Sequence, residues 1–295
     1  MTTTFTYNNM TMIMLYLDES IALVGDFENW NEFEDKQIER LKEIANKKGL
    51  KTTLFVPIKN EIHSAIWNQN NIQKKAEAAG VDYLVFYIDH QMMRMNTDEN
   101  LFKNIDGFLK IKEILIAQNY CYKQSDRFNF DFYRENWKEN CHIEGDFYSK
   151  ADNTELTSLL KDCKFDEFKK LTNLNYQFSG RVVQGKQLGR TIGFPTINVV
   201  TDEILPISKG VFAVDVYLES TQQHFMGAGC YWKNEMDEEV FETFILDFDK
   251  DVYGWKVDIT LIEKIRDNLK INSLDELKET LANDVEKVRK VKPLF

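Results

Sequence analysis

The stretch GKQLGRTIGFPTIN, residues 185–198, sets glycines, two cations and oxygen donors side by side. Bare glycine backbone lets N–H groups approach phosphate oxygens, and Lys186 and Arg190 would neutralise phosphate charge. The Thr196 hydroxyl and the Asn198 amide oxygen are hard donors of the kind that bind Mg²⁺. One interpretation of the stretch is therefore a phosphate cradle with a cation site.

A plain loop between two strands is an equally open interpretation. Gly185, Gly189 and Gly193 permit positive φ angles, and Pro195 would fix the entry into the next strand. Glycines four apart also occur in membrane helix dimers, but the polar residues between these glycines exclude that class. The Walker order GxxxxGK[ST] and the dinucleotide order GxGxxG are both absent. Spacing alone does not choose between loop and cradle.

Strands and helices alternate in the first third of the chain. Apolar runs predict strands at 21–24, 52–56 and 81–87, and helical spacing predicts helices over 33–49 and 74–80. This alternation is typical of a parallel sheet with right-handed crossovers. Ligands of such sheets bind at the carboxyl ends of the strands.

The second half has a different pattern. Residues 115–150 show no assignable periodicity, and 155–171 read as one helical segment. Short β-rich runs then recur between turn signals and predict an antiparallel barrel or sandwich, at 181–183, 211–217, 240–247 and 256–262. The pattern predicts two domains, 1–172 and 173–295.

A helix is predicted to end the chain. Ser273 and Glu276 have the spacing of a capping box. The apolar positions of this helix form one stripe, made of Leu274, Leu277, Leu281, Val285 and Val288.

The charge and the cysteines limit the function classes. A formal net charge of −11 argues against a nucleic-acid partner, because a phosphate backbone requires a basic face. The four cysteines lack the spacing of a metal site or a disulfide framework. With no signal-peptide pattern and no membrane-length apolar run, we expect a cytoplasmic protein with no membrane association.

Several segments, in order, resemble one enzyme family. SGRVVQGKQLGRTIGFPTIN, KGVFAVDVY, VFETFILDFDKDVYGWKVDITLIEKIR and SLDELKETLANDV are similar to the riboflavin kinase module of bacterial riboflavin kinase/FAD synthetases, over about residues 176–288. The resemblance implies a small antiparallel β-barrel with a C-terminal helix. It also implies an N-terminal, Rossmann-like nucleotidyltransferase domain with a parallel sheet.

The resemblance assigns roles to residues of the kinase module. Thr196 and Asn198 match a Mg²⁺ and phosphate pair, Glu242 matches the catalytic Glu, and Arg266 matches an Arg near the flavin. The carboxylate of Glu242 would accept the proton of the riboflavin 5′-hydroxyl as that oxygen attacks the γ-phosphoryl group of ATP. The loop around the ATP phosphates would consist of Gly185, Lys186, Gly189, Arg190 and Gly193.

One segment of the kinase module departs from the family. Where relatives carry Asn-Ile-Gly-x-x-Pro-Thr, this chain reads GAGCYWKNEMDEE, with Cys230 at the position of the Asn. In relatives this segment lies near nucleotide and flavin, so affinity or loop closure can differ here.

The N-terminal half departs further. The nucleotidyltransferase signature Gly-x-Phe-Asp-Gly-x-His-x-Gly-His reads GDFENWNEFED, with Asn31 and Glu34 at the two His positions and Asn29 and Phe33 at the two Gly positions. A carboxylate at this helix N-terminus would repel phosphates. The second signature of relatives is Ser-Ser-Thr-x-Ile-Arg. The corresponding segment here is ADNTELTSLL, residues 151–160, which lacks most of that signature.

We therefore expect a riboflavin kinase that uses ATP and Mg²⁺ to make FMN, with an inactive FMN adenylyltransferase-like domain. The expected partners are small molecules, namely riboflavin, ATP and FMN. Two alternatives remain at this stage. One is a fully bifunctional riboflavin kinase/FMN adenylyltransferase, and the other is a non-enzymatic protein that binds a flavin or nucleotide.

Overall fold

The computed structural model describes residues 2–7, 17–27, 30–58, 66–88, 97–118, 128–145, 153–185, 188–201, 205–234 and 237–295. The chain divides into two compact units, 1–62 with 67–152 and 63–66 with 153–295. Within the described residues, no helix is both long enough and apolar enough to cross a membrane.

A parallel sheet of six strands forms the first unit. The strands are β1 (Thr3–Tyr7), β2 (Ser20–Val24), β3 (Lys51–Ile58), β4 (Tyr83–Ile88), β5 (Ile111–Ala117) and β6 (Cys141–Glu144), in the order β1-β4-β3-β2-β5-β6. Its helices are α1 (Glu32–Lys48), α2 (Gln69–Ala78), α3 (Asp98–Lys103) and α4 (Phe130–Trp137), with a π-helical turn at Asn104–Phe108 and a 3-10 turn at Lys138–Asn140. The predicted parallel sheet is confirmed.

The central strand β2 is buried along its whole length in the core of the unit. All five residues of SIALV are buried, as expected for a parallel strand covered on both faces. Helix α1 begins at an Asn31 cap and ends at Gly49, which takes the left-handed conformation (φ 69°).

Residues 128–145 fold into regular structure although their sequence shows no clear period. Phe128, Tyr133 and Trp137 are buried in an aromatic cluster beneath the sheet, and the indole Nε1 of Trp137 donates to the carbonyl of Ile111 at 3.1 Å. Their ordering depends on tertiary packing of large rings, which periodicity does not reveal.

Two short helices open the second unit. The single helix predicted over 155–171 is wrong, because Cys163 takes φ 57° and separates α5 (Thr154–Lys161) from α6 (Phe165–Thr172). Phe165 packs edge-on against Phe212, and Phe168 packs against Tyr176. These two helices therefore belong to the unit that contains the barrel, while the functional boundary at 172/173 remains a prediction.

A closed antiparallel barrel forms the body of this unit, which confirms the predicted barrel. Its strands are β7 (Gln177–Val183), β8 (Ile197–Val200), β9 (Gly210–Leu218), β10 (Gln223–Lys233), β11 (Glu239–Ile245) and β12 (Lys256–Arg266), in the order β10-β11-β8-β7-β12-β9. The sequence pattern misses β8 and β10. Strand β10 contains Gly227 and Gly229, where an added Cβ would lie 2.8 Å from Thr243 and 2.7 Å from Phe241. Close strand packing requires these glycines, which also weaken the β signal.

Helix α8 (Leu274–Val288) packs on the outer face of the barrel. Ser273 caps it as predicted, but Glu276 accepts from the backbone N–H of Asn272 instead of Ser273. The predicted apolar stripe is incomplete, since Leu274 is 56% exposed. The buried residues of α8 are Val288 and Asp284.

Candidate active site

Three residues from three neighbouring strands stand in one transverse row on the barrel. Asn198 of β8 is paired with Glu242 of β11, which is paired in turn with Cys230 of β10. Side chains of directly opposed residues share one face of a sheet, with Cβ atoms about 4.5–5.5 Å apart. Val199 and Phe241, which follow Asn198 and precede Glu242 along their strands, are buried in the barrel. Because side chains alternate along a strand, the row lies on the outer face of the barrel.

The glycine-rich stretch wraps the Asn198 end of this row. An added Cβ at Gly185 would overlap the side-chain amide of Asn198. The glycine therefore permits close approach between the loop backbone and the side chain of Asn198, a contact that a cradle and a plain loop can both contain.

A tight turn follows. Residues Leu188–Thr191 form a short helix, α7, after which the N–H of Phe194 donates to the carbonyl of Gly189 at 2.8 Å. An added Cβ at Gly189 would overlap the Phe194 carbonyl, and Gly193 takes φ 88°. The turn thereby places Thr196 at the entrance to β8. Lys186 lies outside the described residues.

An open pocket lies beside Thr196 and Arg190. Its other walls come from the β11–β12 connection and include Lys250 and Tyr253. Two cations, Arg190 and Lys250, and two carboxylates, Asp249 and Asp251, line this pocket. Its net charge therefore does not select a phosphate group, and of these four residues only Arg190 stands in the glycine turn itself.

Electrostatics around Cys230 connect the row to β12 and α8. Burial raises the pKa of the Cys230 thiol to about 12; the charges of Glu242 and Asp284 add to the rise and that of Arg266 opposes it. The thiol is therefore neutral near pH 7, and the charges of Glu242, Asp284 and Arg266 each lie within electrostatic reach of it.

Arg266 stands at the far end of the same row, opposite Val211, which is itself opposite Cys230. Its guanidinium binds both carboxylate oxygens of Asp284, with Nε to Oδ1 at 2.8 Å and Nη2 to Oδ2 at 2.6 Å. Sequence analysis missed Asp284. The available signal was its helical spacing, three residues after Leu281 and four before Val288, which puts an acid on the apolar face.

The donor set at Thr196 and Asn198 fits Mg²⁺. Both side chains offer hard oxygen atoms, and Mg²⁺ in phosphoryl-transfer sites takes few protein ligands because phosphates and water supply the rest. The Asn198 amide packs directly against Gly185, so the loop backbone contacts this side chain. Within the described residues, no cluster of three or more His, Cys, Asp or Glu side chains forms a metal site.

In the first unit, aromatic side chains lie at the carboxyl end of the central strand β2. Strand β2 stands between β3 and β5, the point where the strand order reverses and open parallel sheets bind ligands. Directly after β2, Phe27 and Trp30 are 2% and 3% exposed, with their ring centroids 5.3 Å apart. These rings fill space where β2 ends.

Asn31 and Glu34 close the N-terminus of α1 with a capping box. Asn31 Oδ1 accepts from the N–H of Phe33 at 2.9 Å, and Glu34 Oε2 accepts from the N–H of Asn31 at 2.8 Å. Helix donors that could bind phosphate therefore have internal partners. Burial raises the pKa of Glu34 to about 7, against the opposing effect of its backbone hydrogen bonds. Occupied helix donors are therefore a second feature, beside the carboxylate of Glu34, that would disfavour phosphate binding here. Asn29 lies outside the described residues.

Comparison with protein families matches residues 171–292 to the riboflavin kinase (Flavokinase) family. A bifunctional riboflavin kinase/FMN adenylyltransferase of Haemophilus influenzae is 30% identical over 221 residues, which cover 71% of this chain and 71% of that protein. A trifunctional RibF/MnmA protein of Mycoplasmoides gallisepticum is 28% identical over 73% of this chain. The chain spans only 32% of that longer relative.

A solved structure shares the fold across nearly the whole chain. It comes from Streptococcus pneumoniae and is described as a macrolide-efflux protein. The TM-score is 0.64 at 23% identity, and the match covers 98% of this chain and 99% of that one. This likeness concerns the fold alone.

Proposed function

The chain belongs to the family of bifunctional riboflavin kinase/FMN adenylyltransferases, and from this premise we propose that its second unit transfers the γ-phosphoryl group of ATP to riboflavin. The acceptor is the 5′-hydroxyl, and the products are FMN and ADP. The observation that carries the proposal is the pairing of Glu242 with Asn198 beside the glycine cradle.

The row and the glycine-rich loop beside it together contain the groups that the transfer requires. Glu242 accepts the hydroxyl proton while the 5′-oxygen forms a bond to the γ-phosphorus and the bond to the β-phosphate oxygen breaks. The bare backbone of Gly185 and Gly189, together with the guanidinium of Arg190, would contact phosphate oxygens. Thr196 and Asn198 would hold Mg²⁺, which supplies positive charge to the transferring phosphoryl group when bound.

We further propose that the first unit does not adenylylate FMN. The capping box at Asn31 and Glu34 and the buried rings of Phe27 and Trp30 support this proposal. The unit would then serve as a scaffold or a binding module. A cytoplasmic location is part of the same proposal.

One incubation tests both proposals. Purified protein is mixed with riboflavin, ATP and Mg²⁺, and the flavins are separated by chromatography. We expect FMN and no FAD. Flavin binding without FMN formation would favour the non-enzymatic alternative.

A second incubation starts from FMN, ATP and Mg²⁺ and isolates the adenylyltransferase question. FAD formed there would contradict the proposed loss of activity and support full bifunctionality, which the Haemophilus influenzae relative carries in its name.

A further inference from the structure

Helix α8 carries one acidic residue on the face that packs against the barrel. The side chain of Asp284 is 3% exposed. Its neighbours on this face, Val285 and Val288, join an apolar cluster with Phe244 of β11 and Ala228 of β10. These two barrel residues alternate with the buried ones and share the outer face with Glu242 and Cys230. Asp284 is therefore a buried carboxylate on the same face as the proposed active site.

Asp284 holds the Arg266 guanidinium by a two-pronged hydrogen bond. The third nitrogen, Nη1, donates to the carbonyl of Asp267 at 2.9 Å. Such a fork fixes the plane and direction of a guanidinium, which a single contact would not do. Within the described part of the chain these bonds use three of the five N–H groups and leave two for a ligand.

The backbone under Arg266 is also constrained. Strand β12 has two register shifts, one directly before Arg266, and bulges of this kind re-aim side chains. An added Cβ at Gly210 would lie 2.6 Å from the Arg266 carbonyl oxygen, so β9 and β12 approach closely here. Arg266 is thus placed by its strand and oriented by Asp284.

Anchoring of α8 does not by itself explain this pair. A buried ion pair adds little net stability compared with apolar side chains of similar size. The end of α8 has a second link to the barrel, where Arg289 binds both oxygens of Asp247 at 2.9 and 2.7 Å. That pair is exposed and lies outside the row.

We propose that Asp284 is a positioning residue for the kinase reaction, which orients Arg266 so that its two remaining N–H groups meet acceptor atoms of the flavin ring. The inference rests on the proposed function. The row runs from Glu242 through Cys230 and Val211 to Arg266, and an elongated substrate with its 5′-hydroxyl at Glu242 would follow this side of the closed barrel to reach Arg266.

The test compares Asp284→Asn with the matched control Asp247→Asn. Asn keeps the size of Asp284 but offers one acceptor oxygen without charge, so the fork is lost. We expect the riboflavin KM to rise about tenfold or more, the scale of one lost charge-assisted hydrogen bond, with the MgATP KM unchanged. Asp247→Asn should leave both KM values as in the wild type. An unchanged riboflavin KM in Asp284→Asn, with far-UV circular dichroism of a folded protein, would overturn the inference.

A charge exchange separates positioning from anchoring. The double variant Arg266→Asp with Asp284→Arg can restore the ion pair but moves the guanidinium onto the helix. Recovery of thermal stability without recovery of the riboflavin KM supports positioning. Recovery of both means that the pair only anchors α8. If this variant does not fold, the comparison of the two Asn variants decides.

A wild-type protein that makes no FMN would contradict the proposed function and not the positioning role. In that case the readout is riboflavin affinity, measured by quenching of flavin fluorescence. Weaker binding in Asp284→Asn than in Asp247→Asn supports the role, and equal affinities reject it.

Discussion

Glu242 and Asn198 come from separate strands, yet β-sheet register makes them neighbours. A carboxylate beside a proposed Mg²⁺ ligand can accept a proton next to the site where phosphoryl charge develops. On its other side stands Cys230, whose neutral thiol adds no charge to the row. At this scale the site depends on each side chain's type and on the room that glycines leave around it.

Substitution of Glu242 by Gln should abolish most turnover. Gln keeps the size of the side chain but cannot accept the proton, so kcat should fall by at least ~10²-fold, the lower range of general-base contributions. Steady-state FMN formation measures this. Glu239→Gln, on the same strand, is the control that should retain turnover. Near-normal kcat in Glu242→Gln would remove the proposed base.

Gly185→Ala should impair MgATP use. The new Cβ would overlap the Asn198 amide and displace a proposed Mg²⁺ ligand, and we expect an increase of about tenfold or more in the MgATP KM. The control is Gly107→Ala, where an added Cβ meets nothing within 4 Å. The rate of FMN formation is measured while Mg²⁺ is titrated at a fixed ATP concentration. Equal Mg²⁺ dependence in both variants would count against the cradle.

At the scale of elements, the start of helix α1 contrasts with the loop before β8. Both follow a strand and both are placed where a phosphate could bind. The α1 terminus uses Asn31 and Glu34 to satisfy its own N–H groups, whereas the loop at 185–193 relies on glycine for close approach. Capping stabilises a helix and, by the same bonds, removes the donors that an anion requires.

The raised pKa of Glu34 makes stability depend on pH. Folding raises this pKa from 4.5 to about 7, so the folded state binds more protons in that interval, and stability falls as pH rises through it. The loss is about 3 kcal/mol at most by the conversion of pKa shift to free energy. Glu34→Gln still accepts the capping bond but does not titrate.

The thermal midpoint of the Glu34→Gln variant should therefore exceed that of the wild type by more at pH 8 than at pH 5. Calorimetry at the two pH values gives this difference. A difference that is independent of pH would show that Glu34 does not titrate in this window.

The whole molecule consists of two compact units whose division precedes α5. Helix α6 places Phe165 and Phe168, 5% and 0% exposed, against Phe212 and Tyr176 of the same unit. Loss of a buried Phe side chain costs about 3–5 kcal/mol. The barrel therefore depends on residues before the predicted functional boundary at 172/173.

Two fragments test this dependence. The fragment 153–295 should fold and form FMN, whereas 173–295 should unfold at a lower temperature because it lacks both phenylalanines. Circular dichroism melting and FMN formation are the measurements. Equal midpoints would show that α5 and α6 contribute nothing to the barrel's stability.

Much of the fold could be predicted from local patterns. The parallel sheet is predicted by the apolar run 21–24 and by the helix that ends at Gly49. The antiparallel barrel is predicted by the β-rich runs after Phe178. Both predictions are confirmed. Strand β10 and the segment 128–145 could not be predicted from local patterns, since glycine contacts and aromatic packing order them. The roles of the site residues stay predictions.

Family membership and the order of the two units can be read from the sequence alone, because both are encoded in contiguous residues and short periods. What the glycine-rich stretch binds stays a prediction. The row of Asn198, Glu242 and Cys230 and the hydrogen bonds between Arg266 and Asp284 become visible only in the folded chain. Strand register and the docking of α8 bring these residues together. Both arise from contacts between segments distant in sequence, which no local spacing records.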